Sequence, residues 1–386
     1  MSGVPILGTE KTLCDESTTY SIADSLRTTD LNVQEFERQI ERLLGVKHCV
    51  AMCNATSGLQ IAIRALELTG EVIVPAFTFV ATPHALQWQG ITPVFCDIDP
   101  RTYTIDVSKI ESLITPRTTG ILGVHLWGHP CDVEGLATIA ERFRLKLLFD
   151  AAHAFGCSHK GKMVGHFGEA EVFSFHATKF LNSFEGGVVV TNNGALAEKM
   201  RLMSDFGFCG LDNVIHIGTN GKMSEVCAAM GITSLESMEE FVGVNRRNYH
   251  TYLRELGIIP GLKAIRYDET EKTNFQYIVF EIDENKTGIT RDQLVSILVA
   301  ENVIARRYFF PGCHHMEPYS SNLPDEGLAL PITESLAHRV VCFPTGTSIG
   351  AAEISRIAEI VRFCFERSDE IKSKMAAGKM LAGVPT

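Results

Sequence analysis

The chain has 386 residues, of which 45% are hydrophobic and 21% are charged. This composition is ordinary for a globular protein, and the length predicts two or three domains, or one large α/β unit with an appended lobe. The formal charge of −11 offers no electrostatic footprint for nucleic acid or for an anionic membrane surface. We therefore expect neither nucleic acid nor membrane as a partner.

The number and spacing of the cysteines bear on the cellular compartment in which the protein is found. Eleven cysteines are scattered singly along the chain without a CxxC pair, which in a chain of this size favours free thiols in a reducing environment. The first residues lack the basic start and apolar core of a signal peptide. No apolar run approaches the ~20 residues that cross a bilayer. These features predict a cytoplasmic protein.

The first half of the chain alternates predicted strands and helices. Residues 1–31 are polar and irregular and predict an N-terminal arm, and VQEFERQIERLL (33–44) has the apolar spacing of an amphipathic helix. Seven apolar runs then predict strands, with helical segments between most of them: HCVAMC, EVIVP, PVFCDI, GILGVH, KLLFD, EVFSF and GGVVV. This alternation predicts a largely parallel sheet covered by helices on both faces.

The second half has a different pattern. Residues 223–256 predict a long helical stretch that bridges to a second lobe. In that lobe, NFQYIVFEID predicts an alternating strand, TRDQLVSILVAENV a helix, VVCFPT a strand and ISRIAEIVRFCFERSDEI a closing helix. We predict a large α/β domain at 32–238 and a small α+β domain at 239–386.

Polar residues follow several of the predicted strands, and ligands of α/β sheets bind at the carboxyl ends of strands. Thr56 and Ser57 follow HCVAMC at the start of a helix, where free N–H groups suit a phosphate, although both residues are also common helix caps. Phe79 follows EVIVP, where an aromatic side chain suits either the core or a stacking partner for a planar ligand.

Asp150 is the last residue of the predicted strand KLLFD, and Lys179 comes shortly after the next predicted strand, EVFSF. Taken singly, the aspartate fits a turn or helix cap and the lysine fits a surface turn. A lysine held among apolar groups, however, has a lowered pKa and is nucleophilic toward aldehydes. A helix N-terminus, an aromatic ring, a carboxylate and an amine in this order along the chain have one economical explanation, which is pyridoxal phosphate (PLP).

The motifs FTFVAT, VHLWG, DAAHAFG, SFHATK, FEGG and GTNGKMSE resemble those of the DegT–StrS family of PLP-dependent sugar aminotransferases, from about residue 32 to the C-terminus. The resemblance implies fold type I, the aspartate aminotransferase-like fold, in which helices sandwich a large mixed, mostly parallel sheet and a smaller C-terminal α+β domain follows. HLWGHPC and RRYFFPGCHHMEPY are most similar to the enzymes that aminate C4 of dTDP-4-keto-6-deoxyglucose. Amination of C3 in a 3-keto sugar is the alternative.

The resemblance also implies roles for individual residues. Lys179 is expected to bond to the PLP aldehyde and then to transfer the proton, and Asp150 to pair with the pyridinium nitrogen. His153 is expected near the phenolic oxygen and Phe79 on the ring face. The phosphate is expected to be held by Thr56, Ser57, Ser174 and, from the partner subunit, Asn220.

The implied reaction is a ping-pong transfer from L-glutamate to a nucleotide-linked keto sugar in deoxyaminosugar biosynthesis, catalysed by a homodimer with shared active sites. Some relatives carry histidine in place of the lysine and are dehydratases, so Lys179 favours transamination. The stretch 25–32 lacks the glycine-containing turn that is usual near the sugar pocket. A non-catalytic sensor or scaffold is the remaining alternative, and the joint presence of Lys179, Asp150 and the phosphate motif argues against it.

The remaining basic, tyrosine and histidine residues of interest bear on substrate binding and on metal binding. A nucleotide diphosphate requires cations, and the candidates for substrate binding are Lys222, Arg246, Arg306, Tyr308 and His314, for which surface roles are the alternative. The run Cys313-His314-His315-Met316 matches no standard zinc spacing and has no second pair of ligands nearby in sequence. We therefore expect no metal.

Overall fold

The computed structural model describes residues 30–322 and 329–376. Residues 1–29, which make up nearly all of the predicted arm and most of the 25–32 stretch, lie outside the described residues.

The predicted strands of the first half form one seven-stranded sheet. Nine strands occur in this half: β1 (His48–Met52), β2 (Glu71–Pro75), β3 (Thr92–Cys96), β4 (Thr118–Val124), β5 (Lys146–Asp150), β6 (Ser158–His159), β7 (Lys162–Met163), β8 (Ala170–Ser174) and β9 (Gly187–Thr191). The large sheet has the order β1-β9-β8-β5-β4-β2-β3, and β6 and β7 form a separate hairpin. Strands β3, β2, β4, β5 and β8 run parallel, whereas β9 pairs antiparallel with both β8 and β1. The predicted mixed, mostly parallel sheet is confirmed.

The helices and the strands of the second half complete the described chain. The α-helices are α1 (Leu31–Leu44), α2 (Ala55–Ala65), α3 (Ala81–Gln87), α4 (Val107–Ile110), α5 (Val133–Phe143), α6 (Gly194–Ser204), α7 (Glu225–Glu236), α8 (Met238–Leu256), α9 (Glu284–Thr287), α10 (Arg291–Ala300), α11 (Tyr319–Asn322), α12 (Pro331–Ala337), α13 (Ala351–Glu366) and α14 (Ser368–Ala376), with 3₁₀ turns at Glu111–Leu113 and Cys313–His315. The strands are β10 (Leu262–Ala264), β11 (Ile278–Ile282) and β12 (Val340–Phe343), which form an antiparallel sheet in that order.

Two expectations for the second half are wrong in detail. The single long helix predicted at 223–256 is two helices, because Ser237 leaves helical geometry and its N–H bonds to the carbonyl of Ser234, three residues back. The strand β11 does not alternate between buried and exposed residues: all five of its residues are buried. It is the central strand of its sheet, and apolar side chains of α8, α10 and α13 belong to the same buried cluster.

Two further findings concern the whole described chain. None of its helices combines the length and apolar character that a membrane crossing requires. Nine cysteines are free thiols, whereas Cys209 is disulfide-bonded, so the expectation of free thiols throughout is wrong at that position.

Candidate active site

A cavity of about 1060 Å³ opens at the carboxyl ends of the strands of the large sheet. The lining also includes Ile304, Arg306, Tyr308 and Phe309, together with the segment that follows β12, residues 344–348. Seven residues that the sequence assigns to the cofactor line this one cavity: Thr56, Ser57, Phe79, Asp150, His153, Ser174 and Lys179. The parallel topology explains this convergence, because it brings the carboxyl ends of neighbouring strands to the same edge.

The N-terminus of α2 forms one end of the cavity. Asn54 caps this helix, since its Oδ1 accepts the N–H of Ser57 at 2.8 Å. The backbone N–H of Ser57 is therefore already used, which leaves its hydroxyl and that of Thr56 to face the cavity. Ser174 contributes a third hydroxyl from the end of β8. Hydroxyls at a helix N-terminus form a suitable site for a phosphate.

Asp150 is the last residue of β5 and is buried. Its Oδ2 accepts a hydrogen bond from Thr82 Oγ1 at 2.8 Å, and its Oδ1 accepts one from the N–H of Ala152 at 3.0 Å. Burial raises the pKa of this carboxyl, against the lowering effects of those two donors and of the Lys179 ammonium. Each carboxylate oxygen can accept more than one hydrogen bond, so Asp150 can still receive a cationic N–H from a ligand.

Lys179 lies in the loop that follows β8, the neighbour of β5 in the sheet. Burial lowers the pKa of its amine to about 8, and the Asp150 carboxylate partly offsets this effect. The Nζ atom donates a hydrogen bond to the hydroxyl of Tyr277 at 3.1 Å. A larger fraction of this amine than of an ordinary lysine is neutral near physiological pH, and the neutral form is the nucleophile and the base.

Aromatic groups flank the space between these residues. His153 is buried, and its ring stacks on Phe309 with centroids 5.9 Å apart. Its Nδ1 accepts the N–H of Trp127 at 3.3 Å, and burial holds the pKa of the ring well below its usual value. The imidazole is therefore neutral, with its proton on Nε2. Phe79 is 55% exposed, which makes its face available to a planar ligand.

The residues predicted to bind the substrate are only partly brought together. Arg306 and Tyr308 line the cavity. Lys222 pairs with Asp205 and Arg246 pairs with Glu269, both away from the cavity lining. His314 is buried outside it. Asn220, expected to act from the partner subunit, is exposed and also lies outside this cavity.

Two residues that contact the predicted pair are not among the predicted site residues. Tyr277 reaches Lys179 from just before β11, and Thr82 reaches Asp150 from α3. Thr82 is itself bonded to Thr78 through hydroxyls 3.0 Å apart. The motif FTFVAT contains both threonines and was the available signal for Thr82. Tyr277 is 98 positions from Lys179, and no local pattern links the two.

The cavity fits PLP in each of its parts. The buried carboxylate can accept a pyridinium N–H, the amine can bond to an aldehyde, the helix N-terminus can hold a phosphate, and an exposed aromatic face can cover the ring. PLP needs these four groups within one pocket, and the described residues provide them together.

Comparisons with known proteins agree with this geometry. Among curated proteins, the chain is 36% identical to dTDP-4-amino-4,6-dideoxy-D-glucose transaminase of Shigella dysenteriae over 85% of this chain and 89% of that protein. It is 33% identical to GDP-perosamine synthase of Caulobacter vibrioides over 84% of this chain and 88% of the other. Among solved structures, DesI in the presence of its TDP-sugar product superposes with a TM-score of 0.86 at 46% identity, covering 94% of this chain and 93% of DesI.

The sequence profile of one family matches residues 15–362, which is most of the chain. The predicted aspartate aminotransferase-like fold is confirmed by these neighbours. The chain belongs to the DegT/DnrJ/EryC1/StrS aminotransferase family, whose members depend on PLP.

Proposed function

We propose that this aminotransferase moves an amino group from L-glutamate to the C4 keto group of a nucleotide-linked 4-keto-6-deoxyhexose, with dTDP-4-keto-6-deoxyglucose as the substrate. The observation that carries the proposal is the half-buried Lys179 amine in the same cavity as the buried Asp150 carboxylate. The choice of sugar is supported by the 36% identity to a transaminase of dTDP-4-amino-4,6-dideoxyglucose and by the 46% identity to DesI.

The roles of Lys179 follow from its pKa. Bound PLP withdraws electrons from the carbon that carries the amino group, which makes the proton on that carbon acidic. Lys179, with its pKa lowered to about 8, has a neutral fraction that can accept this proton and a charged form that can return it. Donation of a proton to one carbon and removal from another is the same task in both halves of the transfer, so one lysine serves both.

The neighbouring residues hold the cofactor in register with Lys179. Asp150 accepts the pyridinium N–H, a charge-assisted bond that offsets the cost of burying the carboxylate. His153, neutral and protonated on Nε2, donates to the phenolic oxygen. The face of the ring is covered by Phe79, and the phosphate is held by Thr56, Ser57 and Ser174.

The sugar nucleotide binds at the mouth of the cavity. Arg306 and Tyr308 line it, and arginine suits a diphosphate because its planar donors match phosphate oxygens. Lys222 and Arg246 stay candidates for substrate contacts, although they lie away from this cavity in the single chain. His314 is buried outside the cavity and is not retained as a substrate contact.

The active unit is a homodimer in which Asn220 of the partner subunit completes the phosphate site. A short stretch of the described chain supports this proposal, because it exposes apolar side chains that a monomer would leave in water: Phe206, Phe208, Leu211, Val214, Ile215 and Ile217.

We also propose a large domain at 32–238 and a small one at 239–386. The interruption at Ser237 and the separate three-stranded sheet support that division. We also propose that the protein acts in the cytoplasm.

The test is a product assay with purified enzyme, L-glutamate and dTDP-4-keto-6-deoxyglucose, run beside the GDP- and UDP-linked analogues. We expect 2-oxoglutarate in equal amount to a dTDP-4-amino sugar, with the new amine placed on C4 by NMR. Lys179→Ala is expected to abolish turnover, and Asp150→Asn to lower it by about 10²-fold or more because charge placed at the ring nitrogen is lost.

Each other result has a definite meaning. An amine on C3 would assign the enzyme to 3-keto sugars, and faster reaction of a GDP or UDP analogue would change the nucleotide. Multiple turnover by Lys179→Ala would remove the lysine from the mechanism. Wild-type protein that binds PLP but releases no 2-oxoglutarate with any of the three sugars would contradict the proposal.

A further inference from the structure

Three side chains outside the cavity are arranged as potential metal ligands. His314 and His315 belong to the 3₁₀ turn Cys313–His315, and Glu334 lies in the first turn of α12. Each histidine Nε2 lies 3.7 Å from the same carboxylate oxygen, Oε1 of Glu334. The three ligand atoms all lie within 4.8 Å of one another. None of the three residues lines the cavity described above.

His314 is the buried member of this cluster, and within the described part of the chain its ring nitrogens are unpaired. The side chain is only 4% exposed, and neither ring nitrogen has a hydrogen-bond partner among the described residues. Buried polar atoms are nearly always paired, and an unpaired one costs about 1–3 kcal/mol. A ligand bound at Nε2, the nitrogen that lies 3.7 Å from Oε1 of Glu334, would pair one of the two ring nitrogens.

The backbone makes room for this imidazole. Gly312 has a φ of +96°, and a Cβ added there would lie 2.8 Å from Cε1 and 3.0 Å from Nδ1 of His314. Any larger residue would push the ring out of its place. Glycine is thus required here both for its dihedral angle and for the close approach of the ring.

Both ligand-bearing segments are fixed to the large sheet. The N–H of Cys313 bonds to the carbonyl of Ala76, directly after β2. The carboxylate of Asp97, directly after β3, accepts hydrogen bonds from the backbone and the hydroxyl of Thr333 at 2.8 Å each. The two segments are therefore held at a fixed separation, which is the preorganisation that a metal site needs.

We propose that His314, His315 and Glu334 bind a divalent transition metal ion of the zinc type, at a site distinct from the PLP cavity. Two imidazoles with one carboxylate suit zinc and its neighbours in the first transition row, whereas magnesium and calcium prefer oxygen ligands alone. Ligand atoms about 2.1 Å from a tetrahedral zinc ion are about 3.4 Å apart, close to the 3.7 Å separations found here. Water occupies the fourth position, on the side where His315 and Glu334 are exposed.

The location suggests what the ion does. The 3₁₀ turn follows residues 308–309, which line the cavity, and α12 follows the undescribed residues 323–328. An ion bound to both segments joins the wall of the cavity to α12 without touching the reacting groups. The site is therefore structural, and metal binding is expected to stabilise the folded protein.

Direct measurement of zinc binding tests the proposal. Untagged PLP-loaded enzyme is treated with a chelator, dialysed and titrated with zinc chloride by isothermal calorimetry, with elemental analysis of the dialysed complex. We expect one zinc ion per chain and a higher Tm in its presence. His315→Ala and Glu334→Gln, both at exposed positions, should each weaken zinc binding by at least about tenfold.

A second histidine–glutamate pair provides the matched control. His250 Nε2 lies 3.2 Å from the Glu269 carboxylate, without a second imidazole. The double variant with His250→Ala and Glu269→Gln should bind zinc as the wild type does. Absence of zinc uptake by the wild type would overturn the proposal, as would equal uptake by the wild type and the double variant with His315→Ala and Glu334→Gln.

Discussion

At the scale of single residues, the buried surroundings of the Lys179 amine favour its neutral, nucleophilic form over its charged form. Burial lowers its pKa to about 8, from about 10.4 in an unfolded chain. Between these two values the unfolded chain binds the extra proton, so the free energy of unfolding rises with pH across this window. Below about pH 8 the folded protein carries the full cost of burying the charge.

This cost predicts that a variant without the charge is more stable. In cofactor-free protein, Lys179→Met should raise the free energy of unfolding at pH 7 by on the order of 1–2 kcal/mol, allowing for solvent around a half-buried side chain. The difference should shrink as the pH rises from 8 toward 10. Urea unfolding at several pH values measures it, with the exposed Lys372→Met as control. A variant less stable than wild type at pH 7 would contradict the prediction.

The hydroxyl of Tyr277 is the direct partner of the Lys179 amine, at 3.1 Å. Tyr277→Phe removes an acceptor that favours the ammonium form, so the pKa of Lys179 should fall further. We expect kcat to drop by about tenfold, with the lysine-dependent limb of the pH profile displaced to lower pH.

The control for this prediction is Tyr319→Phe. It removes a hydroxyl that contacts His84 at 2.8 Å and does not line the cavity, so it should leave the profile in place. An unchanged pH profile in Tyr277→Phe would mean that this hydroxyl has no influence on the amine.

At the scale of elements, the phosphate end of the cavity depends on close contact between α2 and β9. A Cβ added at Gly187, the first residue of β9, would lie 2.5 Å from the backbone nitrogen of Ala55. Gly187→Ala should therefore displace the start of α2. We expect a loss of about 1–3 kcal/mol in the free energy of unfolding and PLP affinity at least about tenfold weaker, measured by titrating cofactor-free protein.

A glycine in open space is the comparison. Gly243 lies within α8 with no atom near an added Cβ, so Gly243→Ala should stabilise the protein by about 0.5–1 kcal/mol and leave PLP affinity unchanged. If Gly187→Ala behaved in the same way, the contact between α2 and β9 would have no role in cofactor binding.

At the scale of the whole molecule, the stretch 206–217 exposes apolar side chains that the proposed dimer would cover. Ile217 is 73% exposed, and Ile258, two residues after the end of α8, is 75% exposed. Ile217→Asp should produce monomers and reduce activity by at least about tenfold, because a buried charge without a partner opposes association. Ile258→Asp should do neither. Sedimentation velocity distinguishes the two species, and dimeric Ile217→Asp would place the interface elsewhere.

The sequence by itself determined much of the fold and most of the cofactor site. Apolar runs with helical segments between them were enough to predict the sheet, because their periods follow from backbone geometry. Asp150 and Lys179 could be placed together because the ends of neighbouring parallel strands meet at one edge. Local sequence patterns did not predict the helix break at Ser237. They also did not predict the full burial of β11, which is set by packing around the second sheet and not by periodicity.

The tertiary structure decided the contacts between distant segments. Tyr277 meets Lys179, Thr82 meets Asp150, and Glu334 meets His314 and His315. The spacing of residues in the sequence argued against a metal at the two histidines, because the third proposed ligand, Glu334, lies on α12. Sequence patterns report the surroundings of one segment at a time, whereas such contacts depend on how whole elements pack, and packing is fixed only when the complete core has formed.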